Sequence, residues 1–246
     1  MEVILTQELT SVARSAALPV VLIPGFMLDE TLWEGFIAAA EGRRRFICAS
    51  LAEGNSIRQL AEHIVATLPA RFVLVGFSLG GYVARAIVEH YPERVAALVL
   101  IATSLREDTP EQVQQKQSAA KAMQQGAKFG GLTSSAIARS LHPERAQDRV
   151  LINKIKMMGD RLGNAVFLRQ SALIRQNISC QPIRCPTLIV AARQDRLRSL
   201  AESEELAHFI AGSALHQIDR CGHMVPLEQP EQLAATVLGW LSRLVD

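Results

Sequence analysis

Aromatic side chains are scarce in this sequence, where phenylalanine, tryptophan and tyrosine together make up 5% of the 246 residues. Proteins that bind single-stranded nucleic acids stack the bases on such rings, so this composition argues against that class. Neither sign of charge is in large excess, because the formal net charge is only +2. So small an excess predicts no nucleic acid or other polyanion as a partner.

Cysteine pairs with the spacing of a zinc site are missing. No two cysteines are separated by two residues, and the four are Cys48, Cys180, Cys185 and Cys221. Without that spacing we expect no metal, and we expect no cofactor. A chain of this length can bury a core without disulfides, so reduced thiols in a cytoplasmic protein are predicted.

Hydrophobic runs long enough to cross a membrane are lacking as well. The apolar stretch 16–26 is broken by Pro19, Pro24 and Gly25, and residues 1–8 have no basic segment of the kind that begins a secretory signal. We therefore interpret the stretch as a buried strand and a loop, and we expect neither a signal peptide nor membrane association.

What the sequence does contain is an alternation of apolar runs with amphipathic helical patterns. The predicted strands are 20–23, 45–49, 72–75, 95–102, 186–191 and 214–218. The predicted helices between and after them are 29–40, 56–68, 79–91, 200–210 and 230–244. Strands that are apolar on both faces and separated by helices indicate an α/β fold, a mostly parallel sheet with helices on both faces.

The alternation stops between Glu107 and Cys180, where only helical patterns occur, with breaks near 130–131, 142–143, Gly159 and Gly163. We therefore predict an α/β core from 1–106 and 181–246, with 107–180 inserted as a helical cap. The insertion has 11 Lys and Arg against 6 Asp and Glu, whereas the rest has 15 against 18. Two interpretations are open for these basic helices. Their charges lie on ordinary solvated faces, or the helices form a lid that attracts an anionic substrate or carrier.

One motif indicates chemistry, the pentapeptide Gly76-Phe77-Ser78-Leu79-Gly80 between a predicted strand and a predicted helix. This G-x-S-x-G pattern in a strand–turn–helix context is typical of a nucleophilic serine. Glycines are needed on both sides because a side chain there would collide with the adjoining strand and helix. The alternative without a catalytic role is a glycine-containing turn with an incidental serine.

A serine nucleophile needs a base and a carboxylate that orients the base. Asp195 follows one predicted strand and His223 follows the next, and parallel strands end at the same edge of a sheet. We therefore predict a triad of Ser78, His223 and Asp195. Asp195 alone could equally be a helix cap, and Asp219 and Asp108 are alternative carboxylates.

Acyl transfer also requires hydrogen-bond donors for the oxyanion of the tetrahedral intermediate. The first candidate is the backbone N–H of Leu79, directly after the nucleophile. The second is the backbone N–H of Phe26, in the loop after the first strand, where Gly25 permits the turn. Cys221 lies close to His223 in sequence but lacks such a turn, so we interpret it as a packed thiol.

Four segments together resemble the α/β-hydrolase superfamily over nearly the whole chain: Leu22–Phe26, Gly76–Gly81, Pro186–Val190 with Asp195, and Cys221–Met224 with Glu228–Glu231. Within it the chain is most similar to small bacterial carboxylesterases, including pimeloyl-carrier-protein methyl ester esterases and 3-oxoadipate enol-lactonases. The resemblance implies an α/β-hydrolase fold with an inserted helical cap. Relatives usually begin with a strand hairpin, for which residues 1–18 leave little room.

The predicted function is that of a serine esterase, which cleaves a carboxylic ester through an acyl-enzyme intermediate. The same triad would serve a lactonase, a C–C bond hydrolase, an acyltransferase or a lyase. A signalling or receptor protein that retains the triad is a further alternative. Serine at position 78, rather than aspartate, excludes the dehalogenase-type mechanism.

The expected partner is a small-molecule ester, anionic or carrier-linked, and no pattern in the sequence predicts an oligomeric state. The residues that we expect to contact it lie near the triad and on the cap. They are Phe26, Phe77, Met224, Arg139, His142 and Arg145.

Overall fold

The computed structural model describes residues 17–124, 132–176, 178 and 181–244. Within those residues, one parallel sheet has six strands in the order β2-β1-β3-β4-β5-β6. The strands are β1 (Val20–Ile23), β2 (Phe46–Cys48), β3 (Phe72–Phe77), β4 (Val95–Ile101), β5 (Thr187–Ala192) and β6 (Ala214–Ile218).

Helices follow most of the strands. The α-helices are α1 (Glu34–Ala39), α2 (Ile57–Ala66), α3 (Leu79–His90), α4 (Pro110–Gln124), α5 (Ser134–Ser140), α6 (Arg149–Ala172), α7 (Leu200–Phe209), α8 (Val225–Glu228) and α9 (Pro230–Ser242). Short 3-10 turns occupy Glu30–Trp33, Pro92–Arg94 and Pro143–Arg145. Every strand predicted from the sequence is present, with ends that differ by a few residues.

Both faces of the sheet are covered by helices. Val20 and Leu22 pack into a core with residues of α1 and α9, whereas Val21 and Ile23 pack into a second core with residues of α2, α3 and α7. Alternate side chains of one strand therefore enter different cores. Because both faces of the strand are buried, its sequence is a continuous apolar run. The predicted α/β fold is confirmed.

The register of the sheet brings the loops that follow β3, β5 and β6 to one edge. Phe77, the last residue of β3, pairs with Ile101 of β4, and Ile101 pairs with Val190 of β5. Ala192 in turn pairs with Ile218, the last residue of β6. Because all the strands are parallel, residues just after these ends lie near each other despite their distance in sequence.

Between β4 and β5 the described residues form helices α4, α5 and α6 and no strand. Gly163 has a φ of 73° inside α6, so the chain bends there as predicted. The predicted break at Gly159 is wrong, because α6 runs through it and the residue is buried. An alanine Cβ at Gly159 would meet Leu132 at 3.4 Å, which is an ordinary contact, so no turn is required there.

Several sequence predictions fall outside the described residues: the N-terminal hairpin, the break at 130–131 and Cys180. Across the part of the chain that the structure describes, no helix combines the length and apolar character needed to span a membrane. The same residues hold no group of three or more histidine, cysteine, aspartate or glutamate side chains that could bind a metal ion.

Candidate active site

Ser78 lies on a tight turn between β3 and α3. Its backbone has φ 52° and ψ −111°, a conformation that is costly for a residue with a side chain, and its N–H donates to the Ile101 carbonyl at 2.9 Å. A Cβ at Gly76 would lie 2.5 Å from the Gly80 carbonyl oxygen, and one at Gly80 would lie 2.5 Å from that of Ile23. The two glycines of the motif are therefore required by close backbone packing.

A continuous chain of hydrogen bonds joins Ser78, His223 and Asp195. The Ser78 hydroxyl lies 2.9 Å from Nε2 of His223, and Nδ1 of His223 lies 2.7 Å from Oδ2 of Asp195. The histidine and aspartate side chains are 5% and 1% exposed. The loops after β3, β5 and β6 thus bring together the three residues that the sequence singled out.

Asp195 has a second set of contacts that fixes its orientation. Its Oδ1 accepts the backbone N–H of Leu197 at 2.7 Å and that of Arg198 at 2.9 Å. These donors belong to the turn after β5, and the helix that follows, α7, is capped by Ser199, so the alternative role of Asp195 as a helix cap is wrong. Oδ2 remains available to hold the Nδ1–H of the imidazole.

The two alternative carboxylates lie elsewhere. Asp219 accepts from the side chain of Gln194 at 3.1 Å in an exposed position. Asp108 is buried and pairs with Lys116 and Arg175. Neither forms a hydrogen bond with the imidazole of His223, which in the described residues is held by Asp195.

Two cavities meet at the triad. The cationic pocket has a volume of about 430 Å³ and is lined by Lys116, Arg175 and Arg198 together with Gln115, Gln170, Ser171, Leu173 and Leu79. The apolar pocket, of about 280 Å³, is lined by Phe77, Met224 and residues of the inserted segment, chiefly Leu132, Ala136, Ile137, Arg139 and Ile155. Phe26, Ser78, Leu197 and His223 line both, so a bound molecule could extend from the serine in two directions.

The substrate contacts predicted from the sequence divide into two groups. Four of the residues line at least one cavity: Phe26, Phe77, Met224 and Arg139. His142 and Arg145 line neither. The Nδ1 of His142 accepts a hydrogen bond from the Glu144 backbone, and Arg145 pairs with Asp148 at 2.9 Å. Arg145 also donates to the Glu228 carbonyl at 3.3 Å. The structure thus places those two side chains in contacts away from the surface of either cavity.

The loop that holds His223 is attached to the inserted helices by backbone contacts. The His223 N–H donates to the Ser140 carbonyl at 2.7 Å, and a Cβ at Gly222 would collide with the backbone at Leu141 and His142. Glu228 joins the two segments, because its side chain accepts the N–H of His142 at 2.7 Å and that of Gly222 at 3.0 Å. Burial raises the pKa of Glu228, and these two donors oppose that rise.

Replacing Glu228 by glutamine should destabilise the protein by about 1–3 kcal/mol, because one backbone N–H would then face an amide N–H instead of an acceptor. The free energy of unfolding in urea measures this effect. Glu231→Gln, an exposed change at the start of the next helix, is the matched control. Equal stabilities of the two variants would refute the structural role of Glu228.

A second side chain that sequence reasoning missed is Gln170 of α6. Its Oε1 accepts the Met27 N–H at 2.7 Å, and its Nε2 donates to the Leu51 carbonyl at 3.0 Å. Met27 has a φ of 53°, and it directly follows Phe26 in the loop after β1. Gln170 therefore holds the loop that carries Phe26, which lines both cavities together with Ser78.

Cys221 is packed, as predicted from the sequence. Its side chain is buried with 0% exposure, and burial, together with the charge of Glu228, raises the pKa of the thiol far above its usual range. A thiol is nucleophilic only as the thiolate, so we do not expect this cysteine to act as a nucleophile.

A parallel sheet with a serine on its strand–helix turn, and a histidine within hydrogen-bond distance of that serine, defines an α/β protein with the architecture of a hydrolase. The chain belongs to the alpha/beta hydrolase family, whose model matches residues 20–236. This match spans all six strands and the inserted helices.

Named relatives agree with that assignment. A pimeloyl-[acyl-carrier protein] methyl ester esterase of Aromatoleum aromaticum is 25% identical, with 88% of this chain and 95% of the relative covered. A thermophilic esterase of Thermogutta terrifontis has a TM-score of 0.74 at 25% identity, covering 94% of this chain and 92% of its own. An enol-lactonase of Burkholderia xenovorans has a TM-score of 0.70 at 18% identity, covering 93% of each chain, and shows the shared fold alone. The two families named from sequence motifs are thus both found among the similar proteins.

Proposed function

We propose that the chain is a serine esterase that cleaves a carboxylic ester through an acyl-enzyme on Ser78. The relatives described above include proteins named as esterases, which supports an enzyme with ester hydrolase activity. The serine mechanism rests on one observation above all, the hydrogen-bonded chain from Ser78 through His223 to Asp195.

In the first half of the reaction, Nε2 of His223 takes the proton of Ser78 as its oxygen attacks the ester carbonyl. Asp195 holds the Nδ1–H and stabilises the imidazolium that forms. The imidazolium then gives its proton to the departing alcohol, and the acyl group remains on Ser78. In the second half, His223 activates a water molecule that releases the acid and frees the serine.

The backbone N–H groups of Phe26 and Leu79 are the proposed donors to the oxyanion. Leu79 is the first residue of α3, so its N–H has no acceptor within the helix and lies at the positive end of the helix dipole. Phe26 lines the same cavity as Ser78 and Leu79, in the loop held by Gln170. Removal of one such donor typically lowers kcat by about 100- to 1,000-fold.

Residues 107–180 are proposed to act as a cap that sets substrate shape, on the core formed by 1–106 and 181–246. Helices α4 and α6 contribute residues to the cationic pocket, and α5 and α6 contribute residues to the apolar pocket. The apolar pocket suits an unbranched acyl chain or alcohol, whereas the cationic pocket suits a polar or charged end. A small ester, anionic or linked to a carrier, is therefore the proposed substrate.

A series of p-nitrophenyl esters from acetyl to decanoyl tests this function. We expect turnover with a maximum in kcat/KM at one intermediate chain length, because the apolar pocket has a volume of only about 280 Å³. The same preparation should be assayed with a γ-lactone, with a C–C bond substrate bearing a vinylogous 1,5-diketone, and with an added alcohol as acyl acceptor. Esters are expected to be the best substrates, and free acid the main product.

Faster turnover of the lactone or the diketone would replace the proposal with one of those activities, and transfer to the alcohol in preference to water would indicate an acyltransferase. Absence of turnover on every substrate would favour a receptor that retains the triad.

A further inference from the structure

Three arginines surround the ring of Tyr82 on α3. The guanidinium carbons of Arg85, Arg175 and Arg198 lie 5.0, 5.3 and 5.9 Å from the ring centroid. The phenol donates to the Arg106 carbonyl at 2.8 Å, so the ring is fixed in place. Such an arrangement gathers positive charge on the faces of one aromatic ring, which each guanidinium contacts favourably.

Two of these arginines, with Lys116, form a cationic cluster on the wall of the cationic pocket. Lys116 and Arg175 both pair with Asp108, and Arg198 pairs with Glu202 at 3.2 Å. Three cations facing two carboxylates leave one positive charge in excess. Each of the three cationic side chains is about one-fifth exposed, so the charge is partly desolvated and still accessible from the cavity.

The excess charge has an energetic cost. Burial, and then the neighbouring Arg175 and Arg198, lower the pKa of Lys116, against the favourable contact with Asp108. Arg85 lies behind the ring, where burial lowers its pKa to about 10 despite the charges of Glu89 and Glu107. A bound anion would relieve this repulsion among like charges.

A purely structural role explains part of the cluster only. The Asp108 N–H donates to the Arg175 carbonyl at 3.1 Å and Lys116 donates to the Leu173 carbonyl at 2.9 Å, so these residues join the two ends of the inserted segment. Arg198 takes no part in that junction. It lies outside the insertion, three residues after Asp195, and its ion-pair partner Glu202 is on the adjoining helix α7.

The cluster lies a short distance from the nucleophile. Tyr82 is four residues after Ser78, which corresponds to roughly 6 Å along the axis of α3. The backbone N–H of Arg198 also bonds Asp195 of the triad at 2.9 Å. A group held by the cluster would therefore be separated from the carbonyl at Ser78 by only a short spacer.

We propose that Lys116, Arg175 and Arg198 bind a carboxylate of the substrate, so that the preferred ester bears a second, free carboxylate at a short distance from the scissile bond. This inference deepens the proposed ester hydrolysis at Ser78 and rests on it. Guanidinium groups bind carboxylates with two parallel hydrogen bonds, and one bound carboxylate matches the single excess positive charge.

Kinetics with paired esters test the proposal. Monomethyl adipate and methyl hexanoate place a carboxylate or a methyl group at the end of the acyl part, and the butyryl esters of glycolic acid and of ethanol do so on the alcohol part. We expect one of the two carboxylate-bearing esters to have a higher kcat/KM than its neutral counterpart. Arg198→Gln should lower the ratio of the two kcat/KM values, carboxylate-bearing over neutral, about tenfold. The change should come mainly from a higher KM for the carboxylate-bearing ester, as expected for loss of one charge-assisted hydrogen bond.

Arg106→Gln is the matched control. Arg106 also pairs with a glutamate of α7, Glu205, but its side chain is 55% exposed and does not line the cavity. The Arg106→Gln substitution removes the same charge as Arg198→Gln, and the ratio of kcat/KM for the carboxylate-bearing ester to that for the neutral ester should stay as in the native protein. Equal ratios in Arg198→Gln and the native protein, or an equal loss in both variants, would overturn the proposal.

A binding measurement separates this inference from the proposed mechanism. Calorimetry of the Ser78→Ala variant with the dicarboxylates from succinate to pimelate needs no turnover. We expect at least one to bind, about tenfold more weakly when Arg198→Gln is added and more weakly at high salt. If none of the dicarboxylates binds, the proposed carboxylate site is refuted. If they bind but the native protein turns over no ester, the proposed ester hydrolysis is refuted instead.

Discussion

Replacing Ser78 by alanine is expected to lower kcat/KM for the best nitrophenyl ester by about four to six orders of magnitude. Without the hydroxyl no acyl-enzyme forms, and His223 has no nucleophile to activate. The remaining rate should come from the proposed oxyanion donors and from binding alone. Initial rates at high enzyme concentration, corrected for hydrolysis in buffer, measure the loss.

The variant should keep the native fold. Among the described residues the Ser78 hydroxyl bonds only Nε2 of His223, while the backbone N–H that fixes the turn remains in the variant. An unchanged melting temperature would therefore attribute the loss to chemistry. Residual activity within tenfold of the native enzyme would contradict the assignment of Ser78 as nucleophile.

Replacing Asp195 by asparagine should lower kcat by about ten-thousandfold at neutral pH. The amide oxygen would keep the N–H groups of Leu197 and Arg198, which now bond Oδ1, so the amide N–H₂ would face Nδ1 of His223. Nδ1 would then have to accept, and the imidazole proton would move to Nε2. A protonated Nε2 cannot take the proton of Ser78.

Asp219→Asn is the control, since Asp219 is the carboxylate at the end of the neighbouring strand and is exposed. It should retain activity close to that of the native protein. The assignment would be wrong if Asp219→Asn lost as much activity as Asp195→Asn, or if Asp195→Asn lost less than tenfold.

The sheet and the hydrogen-bonded group of Ser78, His223 and Asp195 were predictable because their causes are local in sequence. An apolar run that enters two cores has no polar face, and Gly76 and Gly80 mark a turn where any side chain would overlap the backbone. Parallel strands then place the residues after β5 and β6 beside Ser78 without knowledge of the loops. The fold class and the grouping of three distant residues follow from those facts.

The surroundings of the triad could not be predicted in the same way. Gln170 and Glu228 contact backbone groups 143 and 86 residues away. Gln170 belongs to no motif, and the segment that contains Glu228 does not indicate its partner in the insertion. The excess of basic residues in the insertion pointed to Arg139, His142 and Arg145, but composition does not tell which way a side chain points. Arg145 pairs within its own segment, whereas Arg198, outside the insertion, lines the cavity.

The most direct test of the account is to find where the acyl group resides during turnover. The native enzyme should be mixed with p-nitrophenyl butyrate, quenched in acid within the first turnover, digested and analysed by mass spectrometry. We expect a butyryl group on Ser78 and a burst of about one nitrophenol per enzyme molecule. Hydrolysis without an acylated Ser78 peptide, or with the acyl group on another residue such as Cys221, would contradict it.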